Sequence, residues 1–209
     1  MDSQTLSRLP ERLQRLYEKN PDARGFVAGY EENKDRDFDI DLSEYEDCSQ
    51  VPLLMQWDKR WGYKDYSGSL FALAGCGPTC LSMCAIYLTG DATYTPEYMR
   101  NFALENDYSV EGNGSKWTLI SEGGEQLGLD VTEIPLDEER TLENLRVGNP
   151  VICIMGPGDF TEGGHFIVLA GADDEGNITV NDPNSYVNSD RTWRFSEISD
   201  QIDNLWVLQ

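Results

Sequence analysis

Histidine is nearly missing from this chain: His165 is the only one in 209 residues. No Cys-x-x-Cys pair accompanies it, so the usual zinc sets built from several cysteines and histidines are excluded, and no metal or other cofactor is expected. Positive charge is scarce as well. Sixteen Lys and Arg against 38 Asp and Glu leave a formal net charge of −22. A surface of that sign repels phosphate backbones and argues against nucleic acid. It suits plain solubility, or a peptide or protein partner of basic character. No run approaches the roughly 20 apolar residues that cross a bilayer, so no membrane span is expected, and no charged-then-apolar signal peptide opens the sequence. Five cysteines are an odd number, so they cannot all pair with one another.

What is present suffices for one domain. The apolar fraction is 39%, with five tryptophans to fill a core. The first thirty residues read as helical: Leu6, Leu9, Leu13, Leu16 and Tyr17 recur at helical spacing, and Pro21 precedes a second short helix carrying Phe26, Val27 and Tyr30. This arm either packs on the main domain or serves as a docking or regulatory segment. Residues 31–47 are densely acidic and read as a solvated linker. The alternating Asp35, Asp37, Asp39 and Asp41 invite a calcium loop, but Leu42 stands where such a loop needs glycine. The expected organisation is therefore an arm and linker over residues 1–50 and a compact domain over 51–209.

The stretch Gly75-Cys76-Gly77-Pro78-Thr79-Cys80 is the most informative in the chain. Proline is tolerated in the first turn of a helix, and the apolar run from Cys80 to Leu88 continues to Gly90, where a helix would stop. Cys76 is thereby placed at the N-terminus of a buried helix. Unpaired N–H groups and the positive dipole end favour a thiolate there, which makes Cys76 a candidate nucleophile. Cys80 and Cys84 fall on the same stripe and read, like Cys153, as core thiols; Cys48, in the acidic linker, is expected to be exposed.

Val51 to Met55 reads as a short buried strand leading to Gln56. Thr95-Pro96-Glu97 opens a helix to about Asn106. Ser115 and Thr141 are candidate caps of two further helices. Leu129–Ile134, Pro150–Met155, His165–Ala170 and Ile178–Asn181 read as strands, and the β-rich remainder closes on an apolar Leu205–Leu208. Helices first and strands later give an α+β domain. The turn Asp173–Asn177 joins two strands, so His165 at the mouth of one should lie beside Asp182 at the end of the next, seventeen residues on. That carboxylate would hold the imidazole in one tautomer and favour its charged form. Each of these residues alone has a structural explanation, as a buried thiol, a strand-capping histidine and a turn-forming Asp-Pro. Together they form a nucleophile, a base and an orienting acid.

Gln56, Gly75-Cys76-Gly77-Pro78-Thr79, Gly164-His165-Phe166-Ile167-Val168 and Asn181-Asp182-Pro183, in that order, resemble the papain-like cysteine peptidases. The branch they most resemble is the bacteriocin-processing peptidases, whose best-known members cut after double-glycine leaders. The resemblance spans Val51 to the C-terminus. It implies a papain-like fold, with a helical half carrying the cysteine and an antiparallel β half carrying His and Asp. It implies Cys76 as nucleophile, His165 as general base and acid, Asp182 as its orienter and Gln56 as an oxyanion donor. A peptide or protein substrate follows, in a secreted or cell-surface setting, with a cytoplasmic one left open. Two other readings share the apparatus: an acyl transferase or transglutaminase-like enzyme, and a catalytically silent peptide-binding module. Trp117, Trp61 and Trp206 are candidates for cleft walls, although core packing is the commoner fate of tryptophan.

Overall fold

The computed structural model describes residues 1–209. Five helices and one large sheet carry the architecture. The helices are α1 (Glu11–Lys19), α2 (Cys76–Thr89), α3 (Pro96–Glu105), α4 (Thr118–Gln126) and α5 (Glu138–Arg146). The strands are β1 (Val131–Glu133), β2 (Val151–Met155), β3 (His165–Ala172), β4 (Ile178–Asn181), β5 (Thr192–Trp193) and β6 (Ile202–Leu208). They form a six-stranded antiparallel sheet in the order β1-β6-β2-β3-β4-β5.

Helix α2 is buried nearly all round, as its largely apolar sequence requires, and its two buried hydroxyls, Thr79 and Ser82, donate to Gly75 O and Tyr94 O. It stops where Gly90 takes a left-handed φ of 72°. Alternation along β2 and β3 divides the sheet residues between two cores. Ile152, Ile154, Phe166 and Val168 join the core around Leu81, Met83 and Ile86 of α2. Val151, Cys153, Ile167 and Leu169 face the other way, onto Leu142 and Leu145 of α5 and onto Trp193 and Phe195. A sheet covered on both faces explains why its central strands read as continuous apolar runs.

The expected hairpin is present with unequal arms. Strand β3 is twice the length of β4, and the register shifts between Leu169 and Gly171. Val168 pairs with Asn181, which leaves Asp182 one step beyond the ladder and within reach of His165.

Several local expectations give way to tertiary contacts. Val51 to Met55 is buried apart from a half-buried Leu53, but joins no ladder. Two of its carbonyls are met by a side chain: Asn181 Nδ2 donates to Val51 O at 3.0 Å and Pro52 O at 3.2 Å. Ser115 caps nothing; it pairs with Ser109 in a small hairpin, and α4 starts without a side-chain cap. Thr141 lies inside α5, whose cap is Asp137, accepting from the Arg140 N–H at 2.8 Å. Cys48 is half-buried against the α2 core rather than exposed.

The N-terminal arm has its own apolar seam. Leu9, Leu13, Leu16, Phe26 and Val27 cluster with Tyr63 and Ala72 of the segment before α2. Phe26 stacks on Tyr63 with ring centroids 4.1 Å apart, and the Tyr63 hydroxyl donates to Phe26 O at 2.7 Å. Leu13 is fully buried there. Leu13→Ala should destabilise the whole chain by about 2–4 kcal/mol, within the range for leucine truncation in a core. Urea unfolding followed by tryptophan fluorescence should then show one transition at a lower midpoint. An unchanged midpoint would mean that the arm melts independently of the domain.

Candidate active site

Cys76 is the first residue of α2, with Gly75 at the N-cap. Close packing fixes this helix end. The Gly75 N–H donates to Phe71 O at 2.7 Å, and a Cβ on Gly75 would sit 2.6 Å from that oxygen. Thr79 Oγ1 donates to Gly75 O at 2.7 Å. On the other side of the cysteine, a Cβ on Gly77 would meet Ser115 Oγ at 3.0 Å and the Phe166 ring at 3.3 Å. Both glycines are therefore sites of close approach, flanking a thiol that hydrogen-bonds with His165.

It faces a cleft of about 310 Å³. Cys76, Ala74, Ser115, Trp117, His165 and Phe166 are among its walls. His165 is only 7% exposed and Asp182 1%, and His165 Nε2 meets Asp182 Oδ1 at 2.7 Å. The carboxylate is held on both oxygens. The Asn184 N–H donates to Oδ1 at 2.9 Å, and Asn188 Nδ2 donates to Oδ2 at 2.8 Å. Such complete pairing is what a buried carboxylate requires.

The electrostatics of the thiol and the ring are coupled. Burial pushes the Cys76 thiol up and the His165 imidazolium down. Each partner reverses this for the other. Hydrogen bonding with His165, the ring's charge and the Phe166 and Gly77 N–H groups bring Cys76 below its ordinary value. The Asp182 carboxylate, then the Cys76 thiolate, raise His165 to about 10. The two shifts favour the same charge pattern, a thiolate on Cys76 beside an imidazolium on His165. Cys80, one turn deeper, is raised well above the ordinary thiol range by burial and the neighbouring thiolate, so it stays neutral.

Of the four residues singled out from the sequence, the structure brings Cys76, His165 and Asp182 together. Gln56 is 4% exposed and sits beneath the turn before Cys76. Its Nε2 donates to Ala72 O at 2.8 Å, and its backbone N–H donates to Pro183 O, also at 2.8 Å. Its Oε1 is buried without a partner. Of the three tryptophans, only Trp117 lines the cleft, 46% exposed and edge-on to Trp206; Trp61 and Trp206 are core. Sequence reasoning missed Asn188, because nothing local marks it as a carboxylate donor. It also missed the Tyr66 hydroxyl, which contacts Ser115 Oγ at 2.6 Å on the cleft wall. No group of three His, Cys, Asp or Glu side chains could hold a metal ion, and no helix is long and apolar enough to cross a membrane.

The profile of the Peptidase_C39 like family matches residues 48–207. No curated protein sequence matches this chain. Among solved structures, the peptidase domain of Streptococcus ComA, described as a bi-functional ABC transporter involved in a quorum-sensing pathway, superposes with a TM-score of 0.52. The two chains are 18% identical, over 76% of this chain and 97% of that domain. At that identity the likeness establishes a shared papain-like α+β fold.

The signs of the two pKa shifts fix a pH window. His165 is raised above its unfolded value of 6.5, so its stabilising contribution is complete below that pH and is lost as pH climbs through about 10. Cys76 is lowered, so its contribution is present above the unfolded thiol pKa and is lost as pH falls through the folded value. Alkylation of Cys76 by iodoacetamide should therefore titrate with a midpoint below the ~8.5 of a free thiol. His165→Ala should move that midpoint upward. A wild-type midpoint at or above the free-thiol value would refute the ion pair.

Proposed function

Because the chain belongs to the Peptidase_C39 like family and is a cysteine peptidase, we propose that it hydrolyses peptide bonds through Cys76, His165 and Asp182, with Gln56 completing an oxyanion site. The observation that carries this reading is the buried His165–Asp182 pair, 2.7 Å apart, meeting a sulfur at a helix N-terminus within one cleft.

In this reading the Cys76 thiolate attacks the carbonyl carbon of the substrate. The oxyanion that forms is met by the Cys76 backbone N–H, free at the helix start, and by the second N–H of the Gln56 amide, the first being given to Ala72. Imidazolium at His165 donates its proton to the departing amine, leaving a thioester on Cys76 and a neutral ring. That ring then takes a proton from water as its oxygen attacks the acyl carbon, the C–S bond breaks with the Cys76 thiolate leaving, and the acid and the thiolate–imidazolium pair are regenerated. Asp182 holds the ring through Nε2, which leaves the other ring nitrogen for the sulfur and the leaving group. The compact catalytic domain is assigned to residues 51–209, with residues 1–50 as an arm laid against it. The partner is a peptide or protein substrate.

Cys76→Ala should abolish cleavage of a peptide library. Gln56→Ala should lower kcat about 10²–10³-fold, the usual loss for one oxyanion donor, with KM little changed. Equal loss in kcat and KM terms, or none, would remove Gln56 from the oxyanion site. Mass analysis with and without added amine separates hydrolysis from transfer: an amide product formed at the expense of the free acid would replace water as the acceptor.

A further inference from the structure

Helix α1 carries three cations on one face. Arg12, Arg15 and Lys19 recur at i, i+3 and i+7, while Leu13 and Leu16 are buried against the domain. The cations line a groove of about 610 Å³ whose far walls are Leu73, before Cys76, and Asn184 and Ser185, after Asp182. Arg12 and Leu73 also line the cleft that holds Cys76 and His165, so the groove runs into the cleft.

The arm is anchored as a wall of this space. Asn20 Nδ2 donates to Asn184 O at 2.5 Å, and Asp22, the one carboxylate in the groove, accepts from the Tyr186 N–H at 3.2 Å. Lys19 reaches Glu162, in the loop before His165, at 2.6 Å. Arg15 pairs with Glu11 of its own helix at 2.8 Å. Both pairs are exposed, and such pairs open at little cost. Arg12 is exposed and pairs with no carboxylate. The net charge of −22 points to basic partners, yet the charge beside the cleft has the opposite sign. Screening decides between them. At physiological salt, charges beyond about 8 Å are damped, and of the nearby acids Glu11 and Glu162 answer Arg15 and Lys19, which leaves Arg12 as the cation beside the cleft with no carboxylate partner.

We propose that this groove is a substrate subsite that reads a carboxylate near the scissile bond, with Arg12 as its specificity-determining residue. The carboxylate comes from an Asp or Glu side chain or from the α-carboxylate of a peptide C-terminus; a guanidinium fork suits either. The proposal rests on the reading of Cys76 as the nucleophile. The cations belong to the arm, outside residues 48–207 that match the family.

The test uses the full chain and a position-randomised peptide library. Hits are resynthesised in matched pairs, Glu against Gln at each position and free C-terminal acid against amide. Wild type should favour the carboxylate member at one position by at least about tenfold in kcat/KM, the scale of one charge-assisted hydrogen bond. Arg12→Gln should collapse that ratio towards one, and Arg12→Glu should invert it. Preference confined to the free acid assigns the C-terminus; preference for Glu assigns a side chain. In parallel, Cys76→Ala, with and without Arg12→Gln, is tested by fluorescence anisotropy for binding of library pools made in the same Glu/Gln and acid/amide pairs and labelled with a neutral dye. If nothing is cleaved but this variant still prefers carboxylate peptides in an Arg12-dependent way, the subsite stands and the catalytic reading falls. Equal ratios in wild type and Arg12→Gln, or equal binding of the paired peptides, would overturn the subsite.

Discussion

A charged imidazole in a nearly closed site needs a counter-charge, and that counter-charge needs partners of its own. His165 and Asp182 impose this requirement on everything around them. Asp182 lies one residue beyond the ladder of β4, and the turn after it folds back so that Asn184 and Asn188 can reach the carboxylate. Ser189 Oγ accepts from the Asp182 N–H at 3.0 Å and ties the far end of the turn down. The same turn binds the segment before α2, since Pro183 O accepts the Gln56 N–H and Asn184 O accepts Trp57 Nε1 at 3.2 Å. Satisfying one buried carboxylate thus joins the sheet to the helical half.

The helical half meets the pair with a different device. Neither helix geometry nor the thiol alone gives a low pKa in a buried place, since burial works against the thiolate. The approach of His165 and of the Phe166 and Gly77 N–H groups overcomes that cost. This approach needs the start of α2 to lie close to β3, and Gly77 permits it by leaving room for Phe166 and Ser115. Cys80 and Cys84, on the same helix but without a cation beside them, are pushed the other way. One helix therefore holds one thiol whose pKa is lowered and two whose pKa is raised, distinguished by their neighbours.

Much of this was legible in the chain, where the signals are local and physical. Gly75, Gly77, Pro78 and Gly90 bracket α2, and two apolar runs around the Asp173–Asn177 turn bring His165 to Asp182. What failed was local evidence answered by distant partners. Val51 to Met55 has the composition of a strand, but two of its carbonyls are met by the side chain of Asn181, some 130 residues away. Ser115 and Thr141 carry hydroxyls that suit caps, yet a hairpin and a helix interior used them instead. The cationic face of α1 follows from spacing alone. Its place beside the cleft does not, because the bonds that set it join residues 164 positions apart.

Those bonds give the arm a mechanical role as well as an electrostatic one. Phe26 and Leu13 hold it to the segment that leads into α2, whereas Asn20 and Asp22 hold it to the turn that cradles Asp182. The arm therefore touches both walls of the groove, and any ordering of one wall is felt by the other. A ligand that engages Arg12 would act on a helix already clamped at both ends, and little conformational entropy would be lost in forming the contact. In the proposed subsite, that preorganisation would help an exposed arginine, in water and under salt screening, to discriminate between peptides.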